Sequence, residues 1–556
     1  MNPTMTMIVA GVIVLAALVA MTTGVVSPII ALASALVLAG ILGIAPAAEL
    51  FSGLSNTGVI TVGAMLVIAK GVVQTGVVSR MTRFLLATAR SSSQALARLG
   101  VPVGVASAVM NTTPIVAMLI PATKQLEQTR DIPAREVMLP IAHITTLAGT
   151  ITLIGTSSNL LIGGIAATDG VHMGMLSFAA VALPVAVVGG LVVFFLGPRM
   201  LRAPSAEAGS SLSWRVELKV GRSAVGVGRT AARLQLAKSR EYELAAIRRD
   251  GDDIVLDSAI AAGDRLVFKA SEAGVRLLWS SPLFGLAAQR LYAVSVRSGE
   301  HGVLSNFEDD GEITVVAAQT AVSLRRSPLV PGATVFVTAR TITDVERNES
   351  IAMWQDAASR VPQPRKTWIA LSILAAVILT ASFGLVGIAF SSVGGAILMV
   401  LTGVLTPRSA ARALDWQILF VLAGSVGLGA IVLSSGLADQ LAAAIRYLSG
   451  GSSILVIIVL ALVTTVLTNL VTNAAAASIL TPVAISLSVE LGVNPVIVLA
   501  LIGTCISFTF INPFSHQSNL MVMGPIDYST KEFVRFGVPV LLVSLVVACG
   551  TAVLLK

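Results

Sequence analysis

Four uncharged polar clusters stand inside otherwise apolar stretches of this 556-residue chain. They are Asn111-Thr112-Thr113, Gly155-Thr156-Ser157-Ser158-Asn159, Thr472-Asn473-Ala474 and Pro513-Phe514-Ser515-His516-Gln517-Ser518-Asn519. Inside a membrane, Gly, Pro and clustered Ser, Thr and Asn break a helix and free backbone groups. Lipid cannot satisfy those groups, so such a break survives only in a protein-lined cavity. Half-helix N-termini at the breaks offer positive dipole ends and N–H groups to an anion, while freed carbonyls and Asn oxygens suit a small hard cation. The clusters form matched pairs: Pro121 follows the first and Pro482 the third, and Asn111 to Asn159 is 48 residues against 46 from Asn473 to Asn519. Two inverted copies meeting near the midplane would make one central site, the logic of a secondary transporter coupling an anion to a cation. Interhelical hydrogen bonding could explain one polar cluster, but not four in two matched pairs. No carboxylate lies among them, which disfavours an organic cation and favours a neutral or anionic substrate.

Membrane spans must position these clusters. Of the residues, 55% are hydrophobic and only 12% charged, about half the charge of a soluble globular protein. That excludes an ordinary soluble enzyme and a disordered or fibrous chain alike. Residues 199–366 hold 42 of the 66 charges, leaving 24 in the other 388 residues, so a water-soluble insert interrupts a membrane protein. Apolar runs long enough to span cover about 5–24, 27–45, 58–79, 136–166 and 176–198 before the insert. After it they cover 367–383, 384–405, 416–435, 494–523 and 535–555. The stretches 100–123 and 453–489, broken at their centres, read as re-entrant hairpins. The long runs 136–166 and 494–523 hold the other two clusters and read as broken helices.

The predicted fold is a polytopic α-helical membrane protein of two repeats, 1–198 and 367–556, each with five spans and one hairpin. Five crossings are odd, so the second repeat is inverted. With 199–366 in the cytoplasm, the basic loops 80–98, 124–135, 406–412 and 524–535 all fall inside, whereas 46–57 and 167–175 outside carry no Lys or Arg. This matches the positive-inside rule. It places both termini outside, and because Met1 to Thr6 lacks a basic n-region and the first run continues directly into a second, no cleavable signal peptide is expected. The chain reads as multi-pass in the lipid bilayer of a bacterial inner membrane. Lys70 lies well inside a predicted span, within partial snorkelling reach of its cytoplasmic end. Topology explains most of the basic residues outside the insert, so the net charge of +8 does not point to nucleic acid. Cys505 and Cys549 give no metal spacing or disulfide framework, and no nucleophile–base pair marks an enzyme.

In its hairpin and broken-helix pairs the chain resembles the divalent anion:sodium symporters of the ion-transporter superfamily. The resemblance is most specific over Gly155 to Leu160 and Gln517 to Gly524, and includes Ser55-Asn56-Thr57 opening the third span. It implies a homodimer whose transport domain moves against a fixed scaffold as an elevator, with sodium at the hairpin tips and unwound loops and substrate between. Carried over residue by residue, it assigns sodium to Asn111, Thr112, Gly155, Asn159, Thr472, Asn473 and Asn519. It assigns the anion to Thr113, Thr156, Ser157, Asn473, Ser515 and Ser518. Nine residues before the hairpin proline, the family's Asn is Asn473 in the second half but Thr112 in the first, with Asn111 one step earlier. The Thr that follows is Thr113 in the first half and Ala474 in the second. Either Asn111 shifts into the first cation site or that site is altered, and a proton stays open as the driver. His516 lies beside the second unwound loop, in the pH range of a neutral switch. Hydrogen bonding is the expected role for it and for His143.

In the insert, within a first domain at 205–280, residues 214–279 read as strands around one amphipathic helical stretch, Val225 to Leu236. A strand from Tyr242 ends in a turn at Gly251, and a last strand covers Leu266 to Phe268. Gly228-Arg229-Thr230, Ala246-Ile247-Arg248 and Gly263-Asp264-Arg265-Leu266 are similar to the C-terminal domain of potassium-conductance regulators (TrkA-C or RCK-C). A weaker copy runs over 285–345, ending Pro331-Gly332-Ala333-Thr334-Val335. The expected insert is α+β, two RCK-C-like domains that bind an unknown small ligand or only dimerise. No Gly-x-Gly-x-x-Gly fingerprint precedes them. Symporters carrying such a pair are associated with sulfate, so the resemblance implies cation-coupled sulfate import. A dicarboxylate or other oxyanion carrier is the alternative. A ligand-gated anion channel is a further one, which the interrupted hairpins disfavour.

Overall fold

The computed structural model describes residues 2–23, 26–130, 132–202, 366–526 and 528–556, and in the insert 214–222, 224–234, 236–239, 241–285, 290–296, 302–304, 313–320, 322–328, 333–339, 344–345, 348 and 350–356. The chain forms two units, one of residues 1–203 with 362–556 and one of residues 204–361.

The first unit is helical. Before the insert come α1 (Pro3–Thr23), α2 (Pro28–Ile41), α3 (Ala47–Leu50), α4 (Thr57–Gln74), α5 (Val77–Leu86), α6 (Ser92–Val109), α7 (Thr112–Arg130), α8 (Ala134–Gly149), α9 (Ser157–Thr168) and α10 (Ala179–Met200). The insert holds α11 (Glu272–Ser280). After it come α12 (Thr367–Ser382), α13 (Ile388–Leu401), α14 (Pro407–Ala411), α15 (Trp416–Ser434), α16 (Leu437–Leu448), α17 (Ser453–Leu470), α18 (Asn473–Leu491), α19 (Pro495–Ile506), α20 (Gln517–Ile526) and α21 (Thr530–Leu555). The last ten helices follow the order of the first ten, α12 answering α1 and α21 answering α10. Among the described residues, seven helices are long and apolar enough to cross a membrane: α1, α4, α10, α15, α17, α18 and α21. The protein is thus a polytopic helical membrane protein.

Hydropathy placed the first hairpin at 100–123, and its helices extend beyond both limits. Ser91 caps α6, its hydroxyl accepting the Gln94 N–H at 3.2 Å, and Pro102 sits inside the helix without ending it. Polar turns continue a helix after its apolar residues stop, so the hairpin runs over 92–130. The two long runs are both interrupted, α8 from α9 over 150–156 and α19 from α20 over 507–516. Ser157 and Asn159 thereby fall in the first turn of α9, and Ser518 and Asn519 in the first turn of α20. The halves interlock through these pieces: α9 packs on α18 of the other half, and α20 on α7. Helix α21 presses on the second unwound stretch so closely that a Cβ at Gly537 would lie 1.7 Å from the Phe510 carbonyl oxygen.

The second unit is built on one antiparallel sheet. Its strands are β1 (Trp214–Lys219), β2 (Tyr242–Arg249), β3 (Asp252–Ile254), β4 (Arg265–Ala270), β5 (Arg290–Val296), β6 (Ile313–Ala318), β7 (Thr334–Ala339) and β8 (Ile351–Asp356). They lie in the order β3-β2-β4-β1-β6-β7-β5-β8. The pattern β2-β4-β1 recurs as β6-β7-β5, and the first strand of each trio bulges at the same step, between Leu244 and Ala246 and between Val315 and Ala317. The trios join where β1 pairs with β6, Val216 opposite Ala317, and Trp214 meets Phe336 edge-on at 5.0 Å. Strand β8 lies beyond the expected limit at 345, and Pro331 and Gly332 fall outside the described residues.

The expected helix at 225–236 is absent among the described residues, which form successive turns. Gly228 takes φ +81° there, and its N–H donates to the Ile260 carbonyl, so the chain bonds across the unit and not along a helix. The helix of this region is α11, which strand-like alternation concealed. Its cap is Ser271, whose hydroxyl accepts the Gly274 N–H at 3.1 Å.

Asp264 fastens the first trio. The Arg249 guanidinium donates to both its oxygens at 2.8 Å, and the Ala261 N–H donates at 2.7 Å. Arg249 first, then the Ala261 N–H, hold this carboxyl below the usual carboxylate range against the opposing effect of burial. A depressed value contributes stability that is present above the unfolded pKa and lost as pH falls through the folded one. Resistance of the insert to protease in the full chain should therefore hold at neutral pH and fall only below about pH 4. Asp264→Ala should lower the temperature at which that resistance is lost by about 4 °C or more.

Candidate functional site

The first hairpin turns at Met110 and Asn111. Asn111 caps α7, its Oδ1 accepting the Thr113 N–H at 3.2 Å. Thr112 is buried, with its hydroxyl 3.2 Å from Ser107 Oγ, and Ser107 donates to the Thr145 carbonyl at 2.7 Å. The unwound stretch is tied to the same tip, because the Thr152 hydroxyl donates to the Ala108 carbonyl. The Gly155 N–H in turn donates to Thr152 Oγ1 at 3.1 Å. Asn159 is fully buried and reaches back, its Nδ2 donating to the Thr150 and Thr152 carbonyls, both at 3.0 Å. Its Oδ1 is buried without a donor. Thr156 and Ser158 hydroxyls lie 3.1 Å apart, and Ser157 shares a crevice with Asn111, Val62, Met65 and Ile154.

The second half repeats this construction. Thr472 caps α18, its hydroxyl accepting the Ala475 N–H at 3.3 Å. The Thr468 hydroxyl lies 2.9 Å from Asn473 Oδ1 and 2.6 Å from the Ile506 carbonyl oxygen. Ser107, Thr112 and Thr145 each stand 361 residues before Thr468, Asn473 and Ile506. Thr112 thus occupies the position of Asn473, and Asn111 holds the capping position of Thr472. Asn519 is buried, its Nδ2 donating to the Thr509 carbonyl at 2.8 Å. Its Oδ1, like that of Asn159, is buried without a donor. Ser515 Oγ donates to the Asn469 carbonyl at 3.3 Å, and Asn512 Nδ2 does so at 2.9 Å. The Ser518 N–H donates to His516 Nδ1 at 3.2 Å, which assigns the neutral ring proton to Nε2.

His143 departs from its expected role. Both ring nitrogens are buried without a hydrogen-bond partner, and the ring packs among Phe510, Phe533 and Phe536 at 4.9, 5.5 and 5.2 Å between centroids. Sequence reasoning passed over Ser107 and read Thr468, with Asn469, only as part of the polar break in 453–489, although Ser107 and Thr468 each stand five residues before the matching tip position, a signal present in both halves. It likewise passed over the loop residues Thr152 and Thr509, which need the fold to be seen. Among the described residues, no group of three or more His, Cys, Asp or Glu could hold a metal ion. A cation at these breaks would be held by neutral oxygens.

A family model described as a citrate transporter (CitMHS) matches residues 12–503 and, in a second alignment, 428–555. An uncharacterized transporter of Synechocystis sp. is 25% identical over 490 residues, 79% of each chain. A putative sulfur deprivation response regulator of Chlamydomonas reinhardtii is 26% identical over 510 residues, 82% of this chain and 86% of that one. A probable sodium/sulfate cotransporter of the same alga is 34% identical over 157 residues, 28% of this chain and 17% of its own length. With a family match running through both halves and both breaks, the chain is a secondary transporter and belongs to the CitMHS family of the ion-transporter superfamily.

Proposed function

We propose that this transporter couples inward sodium movement to uptake of a divalent inorganic anion, sulfate. The observation that carries the coupling is the pair of amide oxygens of Asn159 and Asn519, each buried without a donor at a matched break. A buried acceptor left unsatisfied costs about 1–3 kcal/mol, and a desolvated hard cation offsets that cost by ligating it. Both amide nitrogens are engaged by loop carbonyls, so turning either amide over would set oxygen against oxygen. Around these oxygens, sodium is assigned Asn111, Thr112 and Gly155 in the first half and Thr472 and Asn473 in the second.

For the anion, α7, α9, α18 and α20 all begin at the breaks, which brings their positive dipole ends towards it. Thr113, Thr156, Ser157, Asn473, Ser515 and Ser518 supply the side chains. The similarity to a probable sodium/sulfate cotransporter supports sulfate. A carboxylate such as citrate is the second reading, favoured by the description of the matching family. An elevator movement is supported by unequal packing: α9 lies against α4 and α18 against α15. On the inverted topology these are the outer halves of a broken helix and a hairpin, as in a transport body displaced towards the cytoplasm. The proposal places a homodimer in a bacterial inner membrane, with the insert in the cytoplasm as a pair of RCK-C-like regulatory domains.

In liposomes holding the purified protein, labelled sulfate should accumulate beyond equilibration only under an inward sodium gradient. Flux that merely equilibrates would indicate a channel, and labelled citrate accumulating in place of sulfate would establish the second reading. Asn159→Ala and Asn519→Ala should each raise the sodium concentration for half-maximal uptake about tenfold, equivalent to about 1.4 kcal/mol. Gly155→Ala, whose Cβ would stand 2.3 Å from the Gly149 carbonyl oxygen, should reduce uptake at every sodium concentration, since the loop can no longer close on the tip.

A further inference from the structure

We infer that Asn469 is an additional cation ligand through Oδ1, and that the second half consequently holds sodium more tightly than the first. This rests on the sodium-coupled function proposed above. Asn469 follows Thr468 at the end of α17, and its Nδ2 donates to the Thr465 carbonyl at 2.8 Å and the Phe508 carbonyl at 3.0 Å. Both amide hydrogens are thereby engaged on carbonyls, which fixes the side-chain orientation. Its Oδ1 is buried and accepts from no donor.

Asn519 grips the next carbonyl along, that of Thr509, at 2.8 Å. Two amides therefore hold consecutive carbonyls of one unwound loop, and both leave an oxygen bare. The Asn469 main-chain oxygen is already taken by Asn512 Nδ2 and Ser515 Oγ, so its side-chain oxygen is what the residue has left to offer. In the first half, the position 361 residues earlier is Ala108. Among the described residues of that hairpin and loop, Asn159 is the side chain with a bare buried oxygen. One amide oxygen in the first half thus faces two in the second. In a desolvated site an added neutral oxygen replaces a water that the ion has lost, which strengthens binding without adding charge.

The test is the melting temperature of the purified full-length protein as sodium chloride is raised, with choline chloride keeping the ionic strength constant. A ligand that binds only the folded state raises the melting temperature as it saturates. Wild type should be stabilised by sodium, and Asn469→Ala should need at least tenfold more sodium for the same stabilisation. Asn469→Asp, which keeps an oxygen in place but loses the donors to the Thr465 and Phe508 carbonyls, should melt lower without sodium and respond to sodium at or below the wild-type concentration, the ion offsetting the added charge. A wild-type response of Asn469→Ala beside a weakened Asn519→Ala would overturn the inference alone, leaving a water as the partner of Asn469. Absence of any sodium response in wild type would overturn the coupling and the inference together. Should Asn469→Ala fail to fold, Asn469→Asp decides: a sodium requirement above wild type overturns the assignment.

Discussion

A backbone group set free inside a membrane has to find its partner within the protein, and the centre of the helical unit is organised around that demand. Wherever a helix breaks, a side chain from a neighbouring turn takes up a loose carbonyl. Asn159 holds those of Thr150 and Thr152, Asn519 that of Thr509, and Thr152 that of Ala108. An amide that donates with its nitrogen also carries an oxygen, and in Asn159 and Asn519 that oxygen is buried without a donor. On the proposed coupling, the contact that shapes the loop would also present a ligand, and structure and coupling would be served by two ends of one functional group.

The positions of the breaks were legible from residue type alone, because Gly, Pro and clustered Ser, Thr and Asn disrupt a helix whatever surrounds them. Their matched prolines gave the pairing of the halves. Counting nine residues back from each hairpin proline already sets Thr112 opposite Asn473. What composition could not supply was role: the bond from the Thr113 N–H to Asn111 makes Asn111 the cap of its helix. Long-range partners were equally hidden. Nothing near His143 in the chain announces Phe533 and Phe536, and Asn469 looks like the polar end of an apolar arm until Phe508 is folded against it. The turns at 225–236 misled for another reason: their apolar spacing mimics a helix, while Gly228 and its bond to Ile260 commit the chain elsewhere.

Each unit repeats an order of elements within itself, and the repeats are assembled in contrasting ways. In the membrane the copies are threaded through one another, α9 lying on α18 and α20 on α7, so neither half encloses its break without the other. In the insert the copies lie side by side and touch along a seam, β1 against β6. The first arrangement suits the proposed site, built from both copies. The second joins the copies through a shared interior, with Trp214 and Val216 in one hydrophobic cluster with Ala317 and Phe336 across the seam.

That seam has a cost for anyone who would separate the copies. An antiparallel strand whose neighbour is removed presents a row of unpaired N–H and C=O groups, a template for joining other chains. Severing the insert between β4 and β5 would create two such rows at once, on β1 and β6, and would bare Val216 and Ala317, both fully buried in the intact sheet. A single excised copy would be prone to self-association into extended β-assemblies. Paired as they are, the two trios cover each other's edges, which protects the solubility of both.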